Sequence, residues 1–394
     1  MYFLVSTENI FLFVSSFGTL QCFLLAFLIY FHKKSDQRVN KFLSLYIASV
    51  AVIMSGPVIL QLGSWQQNFF TEPFTVLCGP MMYLYIRSFR ETITWRKAFL
   101  HITPFIAYLL FSVLWVSHLY NKYPTAKFMP VEAIQARIMV VWLILRYIIM
   151  YIYYFLSRTE LSIYRKSIRH LFSETSQLDF NWVRLLINGY FILVSISVTM
   201  FIAMLSFPGQ TYLLYLATIA LATPYVYMCT YKSITQPTIW QKAGAIDKQV
   251  LEEQLSTSAA IEKSRPLRAK ESSVDIVVSE TVTRIIYIME NDKLYQETEL
   301  TLQDLSNKLQ LPPHRVSTAI NEGLKKNFYD LVNGYRVEEA KRLLLHPANA
   351  NYTILSVGFE AGFNSKTTFN TVFKKFTGQT PTEFRDKQKQ VTVQ

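Results

Sequence analysis

The chain has 394 residues, 51% of them apolar, 15% aromatic and only 17% charged, with a formal net charge of +12. That balance is unusual for a soluble protein of this size. The positive charge is not a nucleic-acid signal in bulk: residues 1–235 hold 18 Lys/Arg against 8 Asp/Glu, residues 236–277 hold 6 of each, and residues 278–394 hold 15 against 13. Its three cysteines, Cys22, Cys78 and Cys229, stand far apart in apolar runs, which excludes a disulfide framework and a CxxC metal site.

Taken from the start, seven apolar stretches are long enough to cross about 30 Å of hydrocarbon as helices. They lie near residues 10–31, 42–63, 69–89, 100–120, 138–157, 185–206 and 212–231. The first reads as a span rather than a cleaved leader, since it lacks a basic start and ends on "HKKSDQR". Alternate loops carry very different charge. One set holds Lys33, Lys34, Arg38, Lys41, Arg87, Arg90, Arg96, Lys97, Arg158, Arg165, Lys166, Arg169 and Arg184; the other holds Lys122, Lys127 and Arg137. The positive-inside rule then puts the N-terminus outside and, after seven crossings, the C-terminus in the cytoplasm.

Within the expected fifth span sits Arg146, and near the outer end of the third sits Glu72. A lone arginine at that depth costs about 2.5–3.5 kcal/mol on insertion scales, so it should face a partner or a wet cavity. The two residues read either as a ligand-binding or switching pair or as a packing pair. His101 and Asn188 read as interhelical hydrogen bonders. No transporter-like inverted repeat stands out, and the last span has no central lysine of the kind a retinal pump needs.

Residues 236–277 are polar and balanced in charge, and read as a cytoplasmic tether with one short amphipathic piece, Ile246 to Leu255. If flexible, about 40 residues reach roughly 35 Å.

Beyond the tether the period changes to short amphipathic helices. "VSETVTRIIYIMENDKLYQ" gives a leading helix with Val282, Ile285, Ile286 and Met289 on one face. Thr301 and Asp304 have capping-box spacing before a helix lined by Leu302, Leu305 and Leu309. After "LPP", a second helix buries Val316, Ala319, Ile320 and Leu324 and turns His314, Ser317, Thr318 and Asn321 outward. A long helix over about 328–345 follows. The arrangement then repeats: Thr353 opens a short helix, "GFEAGF" turns, Ser365 caps the next, and Gly378 with Pro381 ends it. In that last helix Phe369, Val372, Phe373 and Phe376 share one face, opposite Lys366, Thr367, Asn370, Thr371 and Lys374.

Residues from about 278 to 388 resemble the AraC/XylS-type DNA-binding domain. "ILSVGFEAGFNSKTTFNTVFKKFTGQTPTEFR" resembles that family's most characteristic run, with GF-x-x-GF, F-K-K, G-x-T-P and a final F-R, and the first unit matches through R-x-E-E-A-K-x-L-L. The resemblance implies an AraC-like, homeodomain-like tandem of helix-turn-helix units whose two recognition helices enter successive major grooves. Carried over by position, His314, Ser317, Thr318 and Asn321, with Lys366, Thr367, Asn370 and Thr371, are candidates to face the DNA, and Arg315, Lys325, Lys374 and Lys375 to meet phosphates. The sequence departs from the family at Thr318 and Thr371, where arginine is frequent. That departure, and the near-neutral charge of the module, imply that tight binding needs two domains side by side.

The whole is expected to be all-α: a seven-helix transmembrane bundle over 1–235, the tether, and the DNA-binding module over 278–394. The function this implies is a membrane-anchored one-component transcription regulator in a bacterial plasma membrane. Its expected partners are promoter DNA, the lipid bilayer, an unknown small-molecule or envelope signal, a second copy of the chain, and RNA polymerase. The competing expectation is a membrane receptor or transporter whose cytoplasmic module binds protein. No HExxH, GxSxG or glycine-rich phosphate loop appears, and His314 and His346 have no neighbours fit for metal or base chemistry. No enzyme, cofactor or metal is expected.

Overall fold

A computed structural model describes residues 7–31, 37–62, 70–123, 137–174, 180–206, 211–235, 271–349 and 351–392. Among these the chain is helical throughout, with no strand beyond one isolated bridge. It divides into two compact units. The first takes residues 1–162 and 180–242; the second takes residues 163–179 and 243–394.

In the first unit the helices are α1 (Thr7–Phe31), α2 (Gln37–Leu62), α3 (Pro73–Arg87), α4 (Trp95–Lys122), α5 (Arg137–Ile168, whose last turns fall in the second unit), α6 (Phe180–Ser206) and α7 (Thr211–Thr235). α1 packs on α2 and α7, α2 on α3, α3 on α4, and α6 on α7. Where α3 meets α5 and α6 the approach is so close that a Cβ on Gly79 would lie 2.9 Å from the Tyr153 Cβ and from the Tyr190 hydroxyl. Small residues at helix crossings serve this purpose in apolar bundles.

Five of these helices are long and apolar enough to cross a membrane: Leu12–Phe31, Val39–Gly56, Trp95–Lys122, Val140–Ile168 and Asn181–Ala203. The expected count of seven is not reached among the described residues. α3 explains one shortfall. Its helix starts only at Pro73, a residue suited to the first helical position, and its 15 residues rise about 22 Å, short of the bilayer core. Most of α3 is buried inside the unit instead. α7 is not among the five.

Arg146 on α5 is 5% exposed and forms an ion pair with Glu72, just before α3. Its Nη2 also donates to the Tyr147 hydroxyl at 3.0 Å, so the buried guanidinium has the partner its depth demands. His101 Nδ1 lies 3.2 Å from the Tyr153 hydroxyl, an interhelical contact of the kind expected.

Residues 236–270, which hold most of the expected tether and its Ile246–Leu255 piece, lie outside the described residues. The second unit resumes with α8 (Glu271–Glu290), then α9 (Leu302–Leu309), α10 (Pro313–Thr318) running into a π-helical turn (Ala319–Gly323), α11 (Phe328–Leu345), α12 (Ile354–Glu360), α13 (Lys366–Thr377) and α14 (Pro381–Thr392). Two small cores form around α11. Ile285, Met289, Leu305, Leu309, Val316 and Ile320 are buried on the α8–α10 side. Val337, Ala340, Val357, Phe363, Phe369, Val372 and Phe373 close the other. Of the expected apolar face of α13, Phe376 stays 39% exposed.

Arg336 joins the two halves. It is fully buried, and its guanidinium donates to the carbonyls of Tyr295 (2.7 Å) and Glu297 (2.6 Å) and more distantly to Thr298 (3.3 Å). Burial pushes its pKa down to about 10, which still leaves it charged at neutral pH. A buried charge is tolerated when its donors are met in this way.

Candidate nucleic-acid interface

Each helix-turn-helix begins with a side-chain cap. Thr301 and Asp304 form a reciprocal capping box at α9, with Asp304 N donating to Thr301 Oγ1 at 3.2 Å and Thr301 N to Asp304 Oδ2 at 2.9 Å. In the second unit Thr353 caps α12 and Ser365 caps α13, each accepting from the backbone N–H three residues on. Such caps meet N–H groups that a helix start otherwise leaves without a partner.

The turns differ. Between α9 and α10 the chain reverses at Gln310 in the left-handed region, and Pro313 opens α10. Between α12 and α13 the reversal falls on Gly362 at φ +93°, where a Cβ would meet the Tyr295 carbonyl oxygen at 2.6 Å. Gly358, earlier in the same run, presses on the Phe369 ring, with a Cβ there 2.6 Å from Cδ1. Both glycines of "GFEAGF" are thus needed for close approach.

These elements place the residues expected from sequence as follows. His314 and Arg315 are exposed at the start of α10, and Thr318 is half-buried. Ser317, expected to face outward, is buried: Asn321 lies over it one turn on and donates from Nδ2 to Ser317 Oγ at 3.2 Å. On α13, Lys366, Thr367, Thr371, Lys374 and Lys375 are exposed and Asn370 is half-buried, all opposite the Phe369–Phe373 face. Lys375 is engaged within the unit, its Nζ 2.6 Å from Asp330 Oδ1 on α11. Lys325, next to the end of the π-helical turn, is exposed with a left-handed backbone.

A contribution that sequence reasoning missed comes from residues 169–174, the stretch after α5. Phe172 bridges to Thr301, Leu302 N donates to Leu171 O at 2.9 Å, and Tyr329 N donates to Arg169 O at 2.9 Å. Ser173 is fully buried; its Oγ donates to Leu300 O at 2.6 Å, and its own carbonyl accepts from Asn333 Nδ2 at 2.9 Å. Glu174 Oε1 accepts from Thr368 Oγ1 at 3.3 Å. Nothing in the residue types of this stretch, Arg169 to Glu174, marks it in the sequence as a partner of a module more than 120 residues on.

Residues 305–387 match a family model described as a helix-turn-helix domain. The chain is also similar to uncharacterized HTH-type transcriptional regulators of Staphylococcus aureus, among them those of strains COL and MSSA476, at 28% identity over 125 residues. The shared stretch covers 32% of this chain and 16% of those relatives, so the chain spans about one sixth of the length of the regulators it matches. No solved structure matches it. The capped helix pairs, the glycine turn of the second unit and the family match together make residues 305–387 an AraC-type helix-turn-helix domain.

Proposed function

We propose that the chain is a membrane-anchored, one-component transcription regulator, in which residues 1–235 sense a signal in or across a bacterial plasma membrane and residues 278–394 bind promoter DNA in the cytoplasm. The observation that carries this reading is the pairing, in one chain, of five membrane-length apolar helices with two capped helix-turn-helix units fixed to a single 18-residue helix. α11 is about 26 Å long. It holds α10 and α13 as separate recognition elements, and successive major-groove segments on one face lie about 34 Å apart. His314, Thr318, Lys366, Thr367, Asn370 and Thr371 would read bases; Arg315, Lys325 and Lys374 would position the backbone. Lys375 would have to leave Asp330 to join them.

With no arginine at Thr318 or Thr371, each domain has weak readers of guanine. Binding by two copies on adjacent half-sites supplies the missing affinity. The Arg146–Glu72 pair is the part of the membrane unit best suited to respond to a ligand, because Arg146 is buried while Glu72 is partly exposed, and drawing Glu72 away would leave a buried charge without its partner.

The test is crosslinking of the intact protein to chromosomal DNA, followed by recovery of the bound fragments. The wild-type chain should enrich a small set of promoter regions, and Lys366→Ala with Asn370→Ala should abolish the enrichment while membrane insertion is unchanged. Enrichment and regulation that survive both substitutions would sink the DNA reading and favour a protein-binding module.

A further inference from the structure

We propose that residues 169–174 are an intramolecular clasp that occupies the helix starts of the DNA-binding unit and excludes a duplex while it is seated. The inference rests on the DNA-binding reading above and adds how that site is controlled.

The clasp belongs to the same compact unit as the helix-turn-helix pair, although more than 120 residues separate them in sequence. Its contacts fall on a particular set of groups. Leu302 is the first residue of α9 and Tyr329 the second of α11, so both N–H groups lie in first turns where the helix supplies no acceptor. The side-chain caps do not serve them: Thr301 reaches Asp304 N, and Asn327 reaches Asp330 N. The carbonyls of Leu171 and Arg169 do. Glu174 then places a carboxylate on Thr368, in the first turn of α13, beside the exposed Lys366 and Thr367. At the other end His170 faces Asn321, at the end of the first recognition element, and Asp330. Ser173 anchors the middle, held by Leu300, Asn333 and the guanidinium of Arg336.

A helix start draws anions, through its free N–H groups and its dipole. On a duplex the anion is phosphate. In helix-turn-helix docking the first helix crosses the DNA backbone, and the start of the recognition helix meets base edges. Here carbonyl oxygens hold N–H groups at the starts of α9 and α11, the Glu174 carboxylate accepts from the Thr368 hydroxyl in the first turn of α13, whose N–H is capped by Ser365, and His170 faces Asn321. A phosphate backbone would have to displace them, and Glu174 would repel it. The clasp follows directly on the last turns of α5, which belong to the same unit, so a change there reaches it without involving residues 236–270.

The test uses the full chain in phospholipid nanodiscs and a fluorescent random-sequence duplex of about 40 base pairs at about 50 mM salt, where phosphate contacts dominate binding. His170→Ala with Glu174→Gln should tighten binding about tenfold, a shift of about 1.4 kcal/mol. Because that variant could gain affinity through charge alone, amide exchange in the unaltered chain decides. Saturating duplex should speed exchange at Ser173, whose N–H is held by Leu300 O. Unchanged affinity in the variant, or a Ser173 amide that stays protected with duplex bound, overturns the clasp and leaves the DNA reading standing. If neither form binds duplex at all, both fall together.

Discussion

Gly362 and Gly378 both adopt positive φ, at +93° and +80°, and a propensity argument would treat them alike. Their surroundings separate them. Nothing lies within 4 Å of a Cβ built on Gly378, whereas one on Gly362 would meet Tyr295 O at 2.6 Å and Gln296 Cα at 2.8 Å, both backbone atoms. Gly378→Ala should therefore cost only the left-handed conformation, about 1–2 kcal/mol. Gly362→Ala carries the same cost plus overpacking of about 1–3 kcal/mol. Moreover, the Tyr295 carbonyl it would push accepts Arg336 Nε at 2.7 Å, so the disturbance reaches the buried guanidinium. In native-state amide exchange of the full chain, the Val372 and Phe373 amides should exchange about 5- to 150-fold faster in Gly362→Ala than in Gly378→Ala, at tenfold per 1.4 kcal/mol. Equal rates would show that backbone conformation alone explains both glycines, and the close packing of this turn on residues 295–296 would be refuted.

Thr301→Ala removes the side-chain half of the capping box on α9, the Oγ1 that accepts from Asp304 N, and leaves the Thr301 N–H on Asp304 in place. It should destabilise that helix by about 1 kcal/mol, with Thr301→Ser restoring most of it, read from exchange at Leu305 and Leu309. In the apolar unit, Arg146→Met strips Glu72 of its partner; with side-chain exposures of 6% and 31%, the cost is discounted to about 2 kcal/mol. Adding Glu72→Gln should recover thermal stability in detergent, and a double variant no better than the single one would mean the pair is not coupled. The Arg342 guanidinium, hydrogen-bonded to Glu339, holds that carboxyl below the usual carboxylate range. A depressed acid stabilises the fold fully above its unfolded value, near pH 4.5, and loses that contribution as pH falls through its folded value. Urea pulse proteolysis within residues 271–392 should thus show a midpoint that drops below about pH 4.5, and Glu339→Gln should flatten the drop.

The helix-turn-helix pair was legible because its signals are local. Thr301 with Asp304, Ser365 three residues before Thr368, and Gly378 at the end of α13 each act within one turn of where they stand. The apolar period of Phe369, Val372 and Phe373 needed no knowledge of the partner surface. Ser317 was misplaced because a helical wheel ignores a neighbour lying over a side chain, and Asn321 covers it. The expected third span is not among the five membrane-length helices because hydropathy does not mark where a helix starts: α3 begins only at Pro73 and has 15 residues. Residues 169–174 were illegible for a deeper cause. Their work is done mostly by backbone carbonyls, which every residue has, on donors far away in sequence.

A ribosome finishes Ser173 well before it makes Leu300, Asn333 or Arg336, so the recognition unit stays incomplete until Arg336 has emerged. A protease that cut within residues 236–270 would free a fragment still noncovalently bound to an earlier piece of its own chain. A polypeptide begun at Glu271 would be a different object, with the first turns of α9 and α11 open to water and to whatever anion arrives.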